Sequence, residues 1–169
     1  MGLFSFIKNA GAKVFGIGKT TEEEAAEAIA KAKTEADATE LRIEEAAARN
    51  LEETIRDLQL EVDGLSVFVD DDMARISGMA YNQATKEKVV LVVGNTAGIA
   101  TVDDQMTVEH VEPEAQFHAV VSGDTLGKIA KHYYGNAMKY PEIFEANKPM
   151  LTDPDKIYVG QVLRIPNLD

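Results

Sequence analysis

The chain has 169 residues, 29 acidic against 17 basic side chains, a formal net charge of -12 and no cysteine. That length suits two small domains rather than one large one. The acid excess leaves no basic stripe for nucleic acid or an anionic membrane surface. The missing thiols exclude disulfides and thiolate chemistry.

At the N-terminus, Leu3, Ile7, Ala10 and Val14 recur at helical spacing and predict an amphipathic helix within residues 1–19 that docks on a core. The opening Met-Gly-Leu-Phe-Ser-Phe-Ile lacks a basic start, and Lys8 interrupts the apolar run, so neither a signal peptide nor a membrane span is expected. Position 6 is Phe where myristoylation needs Ser or Thr. The expected location is cytoplasmic. Residues 20–45 are rich in Ala, Glu and Lys, with Ala25, Ala28, Ile29, Ala32, Ala36 and Ile43 among charges. They predict an acidic helical insertion, either a solvated spacer or a surface for a partner helix.

Residues 46–108 predict helix, strand, strand, helix, strand. A helix spans about Ala46 to Leu60, and Leu65, Val67 and Val69 then alternate along one strand face. After the polar turn Asp70-Asp71-Asp72, the residues Ala74, Ile76 and Gly78 repeat the two-residue period. The run Val89 to Val93 would pass for a strand by itself. Asn82 is a good helix cap, however, Gln83 to Lys88 favour helix, and Gly94-Asn95 is a helix stop, so the reading is helix. A third strand follows from Ile99 to Val108. Residues 109–116 form a short polar linker with Pro113, which places two domains within touching distance.

Residues 117–169 predict strand, helix, helix, strand. Val120-Val121 ends a strand, Ser122 to Thr125 turns, and Asp124 or Thr125 caps a helix whose buried face carries Leu126, Ile129 and Ala130. Gly135-Asn136 stops it. Tyr140, Ile143 and Phe144 repeat the pattern, Asn147-Lys148-Pro149 ends the second helix, and Val162 to Pro166 is the last strand. The fold class is therefore α+β.

Other chemistry is sparse. Asp70-Asp71-Asp72 lacks the glycine and terminal glutamate of a calcium loop and reads as a charged hairpin turn. Asp103 and Asp104 are strand neighbours that point to opposite faces. His110, His118 and His132 have no zinc spacing. Neither a nucleophile elbow nor a phosphate loop is present, so no enzyme is expected.

The segments "SGDTL", "YG", "IFEAN" and "IYVGQVLRIP" closely resemble a LysM domain. That resemblance implies a shallow groove for N-acetylglucosamine polymers between Gly123, Asp124, Thr125 and Leu126 on one side and Ile157 and Tyr158 on the other. Gly78, Gly98, Ile99, Val102 and Asp104 fall where a BON domain carries its signature glycines and last strand. With the opening Met-Gly-Leu-Phe-Ser-Phe, the pair resembles the small bacterial cytoplasmic potassium-binding proteins, in which BON is followed directly by LysM. The resemblance fails between about residues 20 and 50.

What the resemblance implies is a potassium-ion sensor. A weakly hydrated monovalent cation is selected by neutral carbonyls that replace its water shell, whereas dense carboxylates favour divalent ions. Helix ends supply such carbonyls. The expected donors are the main-chain oxygens of Ile7 and Ala10 at the end of the N-terminal helix and of Gly94, Thr96 and Ile99 in the glycine turn. Potassium there would fix the N-terminal helix and, through it, an intramolecular BON–LysM contact. The alternative is a cell-wall-associated protein whose LysM groove holds a peptidoglycan fragment.

Overall fold

In a computed structural model, the described residues are 2–5 and 22–168. Two α+β units follow one another. The first contains β1 (Gly2–Ser5), α1 (Glu22–Asp57), β2 (Val62–Asp70), β3 (Met73–Asn82), α2 (Gln83–Gly94), β4 (Thr101–Asp104) and β5 (Thr107–His110). The second contains β6 (Gln116–Ala119), α3 (Leu126–Tyr134), a 3-10 turn (Ala137–Lys139), α4 (Tyr140–Ala146) and β7 (Val162–Ile165).

The first sheet has the order β1-β4-β3-β2, with β5 pairing the far end of β3. β3 runs parallel to β4 and β5, and antiparallel to β2. Alternation sends Val67, Val69, Ala74, Ile76 and Val102 to one face, where Leu51 and Ile55 of α1 and Val89, Val90 and Val93 of α2 bury them. Gly78 faces a bulge in β2, and any side chain there would meet Val62 Cγ1 at 2.7 Å. β6 and β7 pair antiparallel beneath α3 and α4, around Leu126, Ile129, Ile143, Leu163 and Ile165.

Three expectations change. Residues 2–5 are not helical: they form β1, an antiparallel edge strand in which Phe4 lies opposite Val102 and Ser5 opposite Thr101. The remainder of the expected N-terminal helix lies outside the described residues. The expected third strand is two strands. β4 pairs Met73 to Ile76 and β5 pairs Met79 to Asn82, and the interruption is held by the Gln105 amide on Ile76 and the Met106 amide on the Asp104 carboxylate. Finally, α1 runs unbroken through residue 45, so the Ala/Glu-rich stretch and the core-packing helix are one element. Residues 32–43 are all exposed, and packing begins near Glu44. Among the described residues no helix is long and apolar enough to cross a membrane.

Candidate functional site

The glycine turn begins where α2 ends. Asn82 caps the start of α2 by accepting from the Thr85 amide at 2.8 Å. At the other end three last-turn carbonyls are occupied. Leu91 accepts from the Asn95 amide, Val93 from the Thr96 amide and Val92 from the Thr96 hydroxyl at 2.8 Å. Among the described residues no backbone amide donates to the Gly94 carbonyl. Gly94 is buried and helical, so it is not the left-handed stop its sequence suggests. Asn95 ends the helix at φ -83°, and the positive φ (98°) belongs to Gly98. Ile99 is buried in the core beyond it, and its amide closes the turn on the Thr96 carbonyl at 3.2 Å. The Ala100 and Thr101 amides both reach the Asp72 carbonyl, which ties the turn to the β2–β3 hairpin.

Gly94, Thr96 and Ile99 thus share one short turn, whereas Ile7 and Ala10 lie outside the described residues. Ser5 nevertheless ends β1 opposite Thr101, two residues past Ile99, so the chain leaves β1 at the turn's end of the sheet.

The same turn holds the second unit. The Asn95 side-chain Nδ2 donates to the Val162 carbonyl at 2.9 Å, and its Oδ1 accepts from the Val162 amide at 2.8 Å. Asn147, on the second unit itself, does the same to Arg164, with both bonds at 2.8 Å. The outer edge of β7 is therefore closed by two asparagine amides, one from each unit. Nearby, the buried Glu87 of α2 accepts Arg164 Nε at 2.6 Å with one oxygen. Its other oxygen accepts Gln83 Nε2 and the Ala115 amide, both at 2.9 Å. Met150 adds an apolar contact onto the first core. The intramolecular contact is present, and Asn95 of the turn takes part in it directly.

The two expected groove walls are also adjacent. Val120, three residues before the first wall, is held against the residues just past the second, its amide donating to the Gln161 carbonyl and its carbonyl accepting from the Gly160 amide, each at 2.8 Å. Gly123, Thr125 and Tyr158 are exposed, but Leu126 and Ile157 belong to the core beneath them. Thr125 caps α3. Asp124 instead accepts the Val121 amide and His118 Nε2, and these two bonds, the backbone one first, hold its carboxyl below the usual carboxylate range.

Asp104 pairs with Lys86 inside, and Asp103 with Arg75 outside, as expected for strand neighbours. Glu40, Glu44 and Asp71 come close together, with Glu44 accepting the Asp71 amide at 3.0 Å. His110 rests on Tyr81, and His132 on Tyr133.

A LysM domain family model matches residues 118–166. The potassium binding protein Kbp of Escherichia coli O6:H1 is 40% identical over 167 residues, covering 98% of this chain and 99% of that protein. An uncharacterized protein of Deinococcus radiodurans is 49% identical over 49 residues, 29% of this chain and 19% of that one. Esterase Rv1288 of Mycobacterium tuberculosis is 44% identical over 55 residues, 32% of this chain and only 12% of the esterase, too little to bring its chemistry along. The full-length match shows that this chain belongs to the family of the potassium binding protein Kbp and ends in a LysM domain.

Proposed function

We propose that the chain binds potassium through main-chain carbonyls of Gly94, Thr96 and Ile99, completed by those of Ile7 and Ala10, and acts as a non-catalytic cytoplasmic sensor. Ile7 is two residues beyond Ser5, a reach of about 7 Å of extended chain. The supporting observation is the place of Asn95 between two of the proposed donors. Fixing the peptide planes of Gly94 and Thr96 around an ion fixes the side-chain amide that grips Val162. Ion occupancy would thereby set how the LysM domain sits on the first unit.

Thermal melts in KCl and in equal NaCl test this reading. A ligand at a hundred times its dissociation constant stabilises the folded state by about 2.7 kcal/mol, whereas screening treats both salts alike. Identical midpoints across the concentration range would refute ion-specific binding. The LysM match favours a second reading, binding of an N-acetylglucosamine oligomer between Gly123–Leu126 and Ile157–Tyr158. Retention on peptidoglycan that is lost on changing exposed Thr125 or Tyr158, together with equal melts in the two salts, would favour it.

A further inference from the structure

The contact between the two units contains a charged element that ion binding does not explain. Glu87 has a side chain only 5% exposed and Arg164 only 11%, yet they face each other from different domains at 2.6 Å. Both Glu87 oxygens are used, and their three donors come from α2, from the end of the linker and from β7. The residues just before Ala115 are the opposite case. Residues 111–114 are all exposed and belong to no helix or strand, with Val111 85% exposed. Ala115 is buried and Glu87 holds its amide, and Asn167 steadies the same corner by donating to the Glu114 carbonyl at 2.8 Å.

We infer that Glu87 and Arg164 form a latch that closes a hinge at residues 111–114 and holds the LysM domain on α2 once the two units have met. The carboxylate is the pivot: one oxygen secures the entering chain and the other secures the domain that follows. Opening the hinge requires separating the charges and rehydrating them. Lys88 and Glu145 are the neighbouring charges. Burial, followed by the proximity of Arg164, lowers the Lys88 ammonium pKa, and Glu145 across the contact opposes that shift.

A buried pair has a characteristic response to mutation. Removing one partner strands the other charge out of water, while neutralising both relieves the penalty. Arg164→Met should therefore open the hinge more than Glu87→Gln with Arg164→Met together. Glutamine at 87 keeps an oxygen for the Ala115 amide. Because the chain has no cysteine, Glu53→Cys and Lys156→Cys, both at exposed positions, provide one dye site on each unit.

Single-molecule energy transfer is measured in matched potassium and sodium buffers: the parent's difference between the salts judges the ion reading, and the difference between parent and variants in potassium judges the latch, so that the two failures remain separate results. We expect one population for the labelled parent, a second one for Arg164→Met, and largely one again for the double variant. The Ala115 amide should exchange about tenfold faster in Arg164→Met, the effect of losing a charge-assisted hold. If Arg164→Met does not fold, Arg164→Gln, which also removes the charge, replaces it in the same comparison. Unchanged transfer and unchanged Ala115 exchange in the single variant would overturn the latch. So would a double variant that opens as far as Arg164→Met alone.

Discussion

Asn95→Ala isolates the grip on the LysM domain without touching either core. It removes two neutral hydrogen bonds, of 2.8 and 2.9 Å, and leaves the Val162 amide and carbonyl without their partner. Each such bond contributes about 1 kcal/mol net. Val162 is half-buried, so water restores part of the loss, and the expected effect is about 1–2 kcal/mol against docking. That corresponds to roughly a tenfold shift in the docking equilibrium. Amide exchange followed residue by residue reads it directly. The Val162 amide should exchange about tenfold faster, while Leu163, paired with His118 inside the LysM sheet, should keep its protection. If Val162 is unaffected, Asn95 does not hold the domain. If Leu163 accelerates in step, the substitution has unfolded LysM rather than released it, and the reasoning fails.

Gly98→Val should weaken the turn by about 1–3 kcal/mol through backbone strain alone, since a side chain at that position meets no atom within 4 Å. The difference between KCl and NaCl melts should vanish with it, and a folded variant that keeps the difference would move the ion site elsewhere. Asp124 predicts an acid limb in LysM stability. Its folded carboxyl pKa lies below the unfolded value of about 3.9, so its contribution is present above that pH and is lost as pH falls through the folded value. Asp124→Asn should flatten that limb in melts recorded from neutral to acid pH; an unchanged limb would show that another group carries it. Deleting residues 2–11 should abolish the potassium response, and a response that survives would exclude Ile7 and Ala10 as donors.

Local pattern was enough to read some elements and not others. The Val89–Val93 run mimicked a strand because α2 lies between the sheet and β7, with all five residues buried. Only its capping Asn82 and the helix-forming residues before the run gave it away. β1 was misread because four residues carry no usable period, and Leu3 happens to stand in helical register with Ile7. The break at Gln105-Met106 depends on hydrogen bonds from β3 and α2, which the Ile99–Val108 alternation does not encode. Within the candidate site the glycine turn was visible from its composition, but the contact that gives it reach was not. Asn95 meets Val162 across 67 positions and Glu87 meets Arg164 across 77. Nothing near any of these four residues marks its partner. A charged residue two places before a buried apolar run was the only local hint at Glu87.

The exposed stretch of α1 affects how unfolding would be observed. At 36 residues the helix is about 54 Å long at 1.5 Å per residue, and residues 32–43 are all exposed. Helix without a packed face is held mainly by propensity, and it shortens gradually with temperature rather than melting in one step. Far-ultraviolet ellipticity should therefore decline well before either core gives way, producing a slope unrelated to ions or domain docking. The chain has no tryptophan, but Tyr133 and Tyr134 pack against the LysM core, and near-ultraviolet tyrosine signals report that core without the slope. Two spectral windows on one heated sample would then give different transitions, the broad one belonging to the exposed helix and the sharp one to the packed protein.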